Sequence, residues 1–147
     1  MKSSTRLQPV LELARDSEQA AARALAEARA RADEAAQKLR ELETYRGEYA
    51  EGLRQKTATG LNAMQMKDYQ AFLARLDAAI RQQQQVVAGL DGDAGRARQA
   101  WLQRRQRLGA LDKLTDRHRR RERADSERRE QAEGNEHALR HWRRSPD

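Results

Sequence analysis

The sequence predicts an all-α protein, a long two-helix antiparallel coiled-coil hairpin with a protruding C-terminal helix end. Three observations predict it. The chain is 36% charged and only 4% aromatic, which is typical of long helices; two stretches repeat apolar residues every seven positions; and one short turn-like segment separates them. We expect a single hairpin over 1–147, with helices at about 6–56 and 66–139, a turn at about 57–65 and a disordered tail at 140–147.

The first helix is predicted by two rows of residues that alternate by four and three positions. Such rows form one stripe of an α-helix, the seam of a coiled coil. Glu18 and Arg46 are its two charged exceptions, and Pro9 is acceptable only if regular helix begins close to it. The rows are Leu7, Ala14, Ala21, Ala28, Ala35, Leu42, Tyr49 and Leu11, Glu18, Leu25, Ala32, Leu39, Arg46, Leu53.

The turn is predicted by "TATGLNAMQ", residues 57–65, because Thr, Gly and Asn favour turns. The seven-residue pattern then resumes. Each amphipathic stretch has only the other to cover its seam, so the two should pair as a helical hairpin. The rows of the second stretch are Leu73, Ile80, Val87, Ala94, Trp101, Leu108 and Tyr69, Leu76, Gln83, Leu90, Ala97, Arg104, Leu111.

Gly89, Gly92 and Gly95 offer an alternative, in which a second turn divides the chain into three helices. Each interior glycine costs about 1 kcal/mol relative to alanine. However, Val87 to Trp101 keep the three-and-four spacing through the glycines, whereas a turn would reset the register. We therefore predict a continuous second helix, with three helices as the alternative.

An asymmetry follows from a turn centred near residue 61. Position 7 then faces about 115, so residues beyond about 120 have no partner in the first helix. The tail "RHRRRERADSERREQAEGNEHALRHW" has almost no apolar period but mixes both charges at helical spacing. We expect residues 117–138 to be mobile in the isolated protein.

The chain has none of the motifs that would suggest an enzyme or a cofactor site. There is no Gly-rich phosphate loop and no catalytic set containing Ser or Cys with His, and no cysteine for a thiolate metal site. His137 and His141 are four residues apart with Glu133 one turn earlier, but nothing completes a tetrahedral site. No apolar run is long enough for a membrane span or a secretion signal. We predict no catalysis, cofactor or metal, and a non-secreted protein.

Positive charge is concentrated in one segment. The formal net charge is +7, and residues 96–123 alone carry eleven basic and three acidic side chains. Arginines along a helix can follow nucleic-acid phosphates, pair with carboxylates of a protein partner, or simply be solvated. DNA readers of the zipper type place basic residues before a leucine heptad, whereas these arginines follow an Ala-rich seam. We rank a protein partner first, a solvated face second and nucleic acid third.

Four of the six aromatic residues flank the predicted turn. Tyr49 and Tyr69 fall on the seam and are interpreted as core residues. Tyr45 and Phe72 each precede a seam position, so they should be neighbours across the hairpin with one side of each ring exposed. Two adjacent exposed aromatics make a candidate docking patch.

These residues resemble a known family, the flagellar export protein FliJ of the bacterial type III export apparatus. The resemblance covers the whole length and rests on the order of four pieces. They are "RLQPVLELARDSEQAA", "YQAFLARLDAAI", "LDKLTDRHRRRE" and, above all, "REQAEGNEHA", which looks like the family's closing Arg-Glu-Gln, three residues, Asp-Glu, one residue, Ala. Asn135 stands where the family usually has an acid.

The resemblance implies partners that composition cannot supply. The family's helix ends insert into the hexamer centre of the flagellar export ATPase, and its surface near the turn binds the cytoplasmic domain of the large export-gate subunit. The gate surface would be Leu42, Tyr45, Tyr49, Phe72, Leu76 and Ala79, with polar contacts at Lys38 and Gln83. The ATPase surface would include Leu7, Leu11, Leu13, Arg117, Arg119, Arg120, Arg123, Arg129, Glu130, Gln131 and Glu136.

The implied function is a stalk that links ATPase and gate in flagellar protein export, and thereby serves flagellum biogenesis, motility and chemotaxis. Export chaperones are further candidate partners. The implied location is the cytoplasm, where partners hold the protein at the inner membrane. No nucleic acid is expected among its partners. The alternatives from the residues alone are a nucleic-acid-binding hairpin using 96–123 and a dimeric spacer.

Overall fold

The protein consists of two long α-helices that pack against each other. The computed structural model describes residues 2–144, in which α1 is Ser3–Thr59 and α2 is Ala63–Arg144. The structure is 97% helical, and no strand occurs among the described residues. The predictions of an all-α hairpin and of a chain that is mostly helical are both confirmed.

The chain divides into two compact units, each containing a part of both helices. The turn unit is Ala21–Trp101, and the terminal unit is Met1–Ala20 with Leu102–Asp147, described here over 2–20 and 102–144. In the turn unit the helices are antiparallel, as paired residues Ala35 with Gln83 and Arg46 with Asp77 demonstrate. Pairs in the terminal unit follow the same antiparallel order.

The turn is shorter than the sequence predicts, covering 60–62 rather than 57–65. Thr57 and Thr59 donate their hydroxyls to helix carbonyls, so they continue α1 instead of leaving it. Gly60 has a φ of 106°, a left-handed conformation that glycine adopts without strain. Asn62 and Gln65 then exchange reciprocal bonds, with Gln65 N donating to Asn62 Oδ1 at 2.8 Å and Asn62 N donating to Gln65 Oε1 at 3.2 Å. This capping box begins α2.

The seam predicted from the heptads is buried or half-buried at every position except Arg104 of α2, which is exposed. Every predicted seam residue of α1 is buried or half-buried, including the charged exceptions Glu18 and Arg46. The best buried side chains are small or medium apolar residues, which lets the helices approach closely: Leu11, Ala14, Leu25, Ala28, Ala32, Ala35 and Leu76. On α2 the seam extends beyond the predicted rows to Thr115, whose hydroxyl donates to the Leu111 carbonyl at 2.8 Å.

The C-terminal boundary of the second helix is corrected. The prediction of one continuous helix holds, since α2 passes through Gly89, Gly92 and Gly95 without a break. It also extends through 140–144, where the sequence predicts a disordered tail; residues 145–147 lie outside the described residues. Arg140 pairs with Glu136 one turn earlier, and α2 contains no proline, so nothing ends the helix at 139.

The start of α1 lies at Ser3 rather than about residue 6. Pro9 therefore lies inside the helix, about one turn and a half from its start. The first turn, which precedes Pro9, is closed by backbone hydrogen bonds. The Lys2 carbonyl accepts from the backbone amides of Thr5 and Arg6. Among the described residues, no helix is long and apolar enough to cross a membrane.

Candidate interaction surfaces

An aromatic cluster lies in the turn unit where the two helices face each other. The ring centroids of Tyr49 and Phe72 are 4.4 Å apart, those of Tyr49 and Tyr69 are 5.1 Å apart, and Tyr45 meets the edge of Phe72 at 6.1 Å. Lys56 Nζ lies 5.3 Å from the centroid of Tyr69. The prediction that Tyr45 and Phe72 are neighbours across the hairpin is confirmed.

The exposure of these rings is unequal. Tyr45 is 48% exposed, whereas Phe72, Tyr49 and Tyr69 are half-buried. Offset and edge-to-face ring pairs stabilise beyond the area they bury, so Tyr49 and Phe72 hold the helices together while Tyr45 remains open to a partner. Phe72 is therefore partly a core residue, although its position next to the seam did not predict that it would pack in the core.

A charged pair lies beside the cluster. Arg46, the exception in the seam of α1, donates from Nε to Asp77 Oδ1 at 2.6 Å and from Nη2 to Asp77 Oδ2 at 3.4 Å. These bonds lower the pKa of Asp77 and raise that of Arg46. The forked geometry fixes how the two helices are aligned at this point, since a guanidinium and a carboxylate fit each other in one orientation.

The gate residues implied by the resemblance fall into three groups. Lys38 and Tyr45 are exposed, and most of the others are half-buried at the edge of the seam: Leu42, Tyr49, Phe72, Ala79 and Gln83. Leu76 is buried among the core, so it supports this surface rather than forming it. Gln83 Nε2 donates to the Ala35 carbonyl at 3.0 Å, so its amide is already used between the helices.

The terminal unit carries an apolar patch beside two arginines. Leu13 is 69% exposed and Val10 is also exposed. Both line a shallow depression of about 200 Å³ whose other wall includes Arg104 and Arg107 of α2. Leu11, which the resemblance assigns to the ATPase surface together with Leu7 and Leu13, is instead a core residue at 2% exposure. Its burial follows from its seam position.

The beginning of α1 is bonded to a carboxylate of α2. Glu122 Oε2 accepts from the Ser4 hydroxyl at 2.5 Å, and Glu122 Oε1 accepts from the Ser4 backbone amide at 3.1 Å. These bonds, aided by nearby Lys2 and His118, lower the pKa of Glu122. The first amides of a helix have no partner within it and favour negative charge, so Glu122 acts as a tertiary cap.

The expectation that residues beyond about 120 have no partner in the first helix is wrong at Glu122, and Arg119, just before that limit, also bonds α1. Glu122 bonds Ser4, and Arg119 Nη2 donates to Gln8 Oε1 at 3.2 Å. The cause is a small offset, because the start of α1 faces α2 a few residues further along than a turn centred near 61 implies. Three other basic residues of the proposed ATPase surface are exposed and form no ion pair with a described residue: Arg117, Arg120 and Arg123.

Beyond the last contact with α1, α2 is exposed on every face from 127 to 143. This stretch holds the remaining residues assigned to the ATPase surface: Arg129, Glu130, Gln131 and Glu136. Its bonds are local, such as Arg129 Nε to the Asp125 carbonyl at 3.4 Å and Arg140 Nη2 to Glu136 Oε1 at 2.8 Å. Among the described residues no group of three or more His, Cys, Asp or Glu could hold a metal ion.

Comparison with known protein families identifies one family that matches this chain. The family described as Flagellar FliJ protein matches residues 2–147, which is essentially the entire chain. The chain belongs to the FliJ family. No curated protein and no solved structure gives a match. As a FliJ-family member, the protein is a non-enzymatic component of the flagellar export apparatus and associates with the export machinery.

Several interactions of this FliJ-family chain were missed by sequence reasoning. Asp77 was not singled out, although a charged residue in the α1 seam requires an acid opposite it, and a turn centred near 61 places position 46 across from about 76. From sequence, Ser4 offers only a hydroxyl that could cap the start of α1, yet it bonds Glu122 of α2. Val10 lies off the heptad rows, and Arg104 and Arg107 were interpreted only as part of the basic segment 96–123, so the depression that they line was not predicted.

Proposed function

We propose that this protein links the flagellar export ATPase to the export gate as a non-enzymatic stalk. The terminal unit binds in the centre of the ATPase hexamer and promotes its assembly and activity. The turn unit binds the cytoplasmic domain of the large gate subunit. In this proposal the protein is cytoplasmic, and its partners hold it at the inner face of the membrane.

The observation that carries the gate assignment is the aromatic cluster. Residues that the family resemblance selects from two distant parts of the sequence, Tyr45 with Tyr49 and Phe72, lie in contact in the turn unit. Tyr45 presents an exposed ring on a base of packed aromatics. A rigid, partly exposed aromatic on a well-packed base is the usual composition of an interface hot spot.

The ATPase assignment is supported by an exposed apolar side chain and by arginines without ion-pair partners in the terminal unit. Leu13 is largely exposed, and Arg117, Arg120 and Arg123 form no ion pair with a described residue. Exposed apolar side chains and unpaired guanidinium groups within one unit fit a partner surface that offers both apolar contact and carboxylates. We infer that the centre of the ring provides such an acidic lining.

The first part of the exposed stretch of α2, residues 127–136, fits the same proposal. A polar helix with only local ion pairs, each worth a few tenths of a kcal/mol, frays unless a partner receives it. We expect its backbone amides to exchange rapidly with solvent in the isolated protein. Insertion into the ATPase ring should slow that exchange.

The deciding experiment measures three bindings of the same purified protein. It is mixed separately with the export ATPase, with the gate cytoplasmic domain and with generic duplex DNA, all at physiological salt, and hydrogen exchange is recorded for the two protein complexes. We expect protection of 127–136 with the ATPase and protection around 42–49 and 69–79 with the gate domain. Binding to neither protein would refute the proposal.

The DNA measurement tests the alternative suggested by the concentrated positive charge of 96–123. Phosphate binding would show a steep loss of affinity with salt, because counterions are released on binding. Tight DNA binding at physiological salt without binding to either export protein would favour the nucleic-acid-binding hairpin instead.

A further inference from the structure

The last described turns of α2 carry two exposed apolar residues. Trp142 is 75% exposed and Leu139 is 54% exposed. They are three positions apart, so they lie on the same face of the helix, and Ala138 lies one turn before Trp142. No residue after Glu136 belongs to the surfaces proposed above, and neither Leu139 nor Trp142 belongs to the heptad rows.

The remaining faces of this C-terminal segment, residues 137–143, carry only cationic or titratable basic side chains. At 100° per residue, Arg143 lies next to Leu139 and Arg140 lies nearly opposite Trp142, while His137 and His141 fill the arc between Arg140 and Ala138. The segment contains no acidic residue. Arg140 pairs with Glu136, which precedes the segment, and Arg143 forms no ion pair with a described residue.

We propose that the C-terminal segment docks on an anionic lipid surface. The indole of Trp142 and the side chain of Leu139 enter the headgroup region, while Arg140 and Arg143 pair with lipid phosphates. Helices with aromatic and aliphatic residues on one face and cations on the other lie in the membrane interface, where the tryptophan ring is favoured. The positive charge around the apolar face selects anionic over neutral lipid.

The interaction formed by two turns of helix is weak and reversible, since stable anchoring requires a larger apolar face or a second signal. It therefore supplements partner-mediated recruitment. Because the segment lies after the last residue of the proposed ATPase surface, lipid binding and ATPase binding can succeed or fail independently.

The probe is the fluorescence of Trp142. The chain has two tryptophans, and Trp101 is half-buried in the turn unit, so a Trp101→Phe variant with unchanged helix content leaves Trp142 as the only reporter. The full chain is titrated with vesicles of phosphatidylglycerol and phosphatidylcholine, or of phosphatidylcholine alone. We expect a blue shift and quenching by brominated lipid with the anionic vesicles only, both lost at high salt.

Charge variants distinguish lipid binding by the C-terminal segment from electrostatic attraction by the basic segment 96–123, because the basic segment attracts the chain to any anionic surface. In the Trp101→Phe background, Arg140→Gln with Arg143→Gln should reduce the Trp142 partition roughly tenfold to thirtyfold, given the effect of each arginine near a charged membrane. The matched control, Arg128→Gln with Arg129→Gln, removes the same charge from the same exposed helix and should reduce it far less.

Three results would overturn the proposal. One is vesicle binding with unchanged Trp142 emission, which would assign the binding to the basic segment. Another is an equal reduction of Trp142 partition in both double arginine variants, which would indicate that only the net charge of the chain matters. The third is a Trp142 shift that appears with the export ATPase but never with vesicles, which would assign the segment to a protein groove.

Discussion

Glu122 accepts two hydrogen bonds from Ser4, one from the hydroxyl and one from the backbone amide, although the residues are 118 positions apart in the sequence. The carboxylate thus occupies the place of an acidic residue that the first turn of α1 lacks. It joins the helix start to α2 and fixes where the packing between the helices ends.

Replacing Glu122 with Gln should loosen the first turn of α1 in a pH-dependent way. The pKa of Glu122 is lowered in the fold, so its stabilisation is fully present above the ordinary glutamate pKa of about 4.3 and is lost as the pH falls below that value. The thermal midpoint of the wild type should therefore exceed that of Glu122→Gln at neutral pH, and the difference should shrink under acidic conditions. Glu127→Gln, an exposed control, should differ little from wild type at either pH.

Removing Asp77 alone should destabilise the turn unit, because Arg46 would then occupy the seam without a partner. Replacing the pair together, as Arg46→Leu with Asp77→Ala, should restore stability to the wild-type level or above it, since half-exposed ion pairs contribute little and the seam favours apolar residues. Thermal unfolding of the two single variants and the double variant measures the coupling. Strictly additive effects would show that the two side chains do not depend on each other.

Replacing Tyr45 with Ala should weaken binding of the gate domain by roughly 1–3 kcal/mol while leaving the thermal midpoint nearly unchanged. Phe72→Ala should weaken binding and also lower the stability by about 1–2 kcal/mol, because the ring packs on Tyr49. Calorimetric titration with the gate domain measures the first effect and thermal unfolding the second. Met64→Ala, another exposed apolar residue near the turn, is the control and should bind normally.

Reversing the charge of Arg119, Arg120 and Arg123 to Glu should abolish stimulation of the export ATPase while the hairpin stays folded, since like charges would meet the acidic surface that we infer in the ring. The reversal removes the hydrogen bond from Arg119 to Gln8, which is exposed and contributes little to stability. A matched reversal of Arg23, Arg29 and Arg31, which are exposed in the turn unit, should retain stimulation. If stimulation of the ATPase survives the first reversal while DNA binding is lost, the nucleic-acid-binding alternative is favoured.

The sequence by itself determined the helices, the approximate turn and the buried stripe. Heptad positions determine which face of a helix is apolar, and this is a local property of the chain, so the sequence alone assigns Ala28 and Ala32 to the core. The unbroken phase from Val87 to Trp101 was likewise sufficient to predict that three glycines do not end α2.

The tertiary structure alone decided how polar groups pair and which apolar residues remain open. Periodicity shows that a residue points inward, but the residue opposite depends on the alignment of the two helices, which the position of the turn gives only to within several residues. That alignment brings Ser4 to Glu122 and Arg46 to Asp77. It also leaves Tyr45 48% exposed and Phe72 half-buried, although both positions precede a seam residue, because the Phe72 ring packs on Tyr49 across the helices.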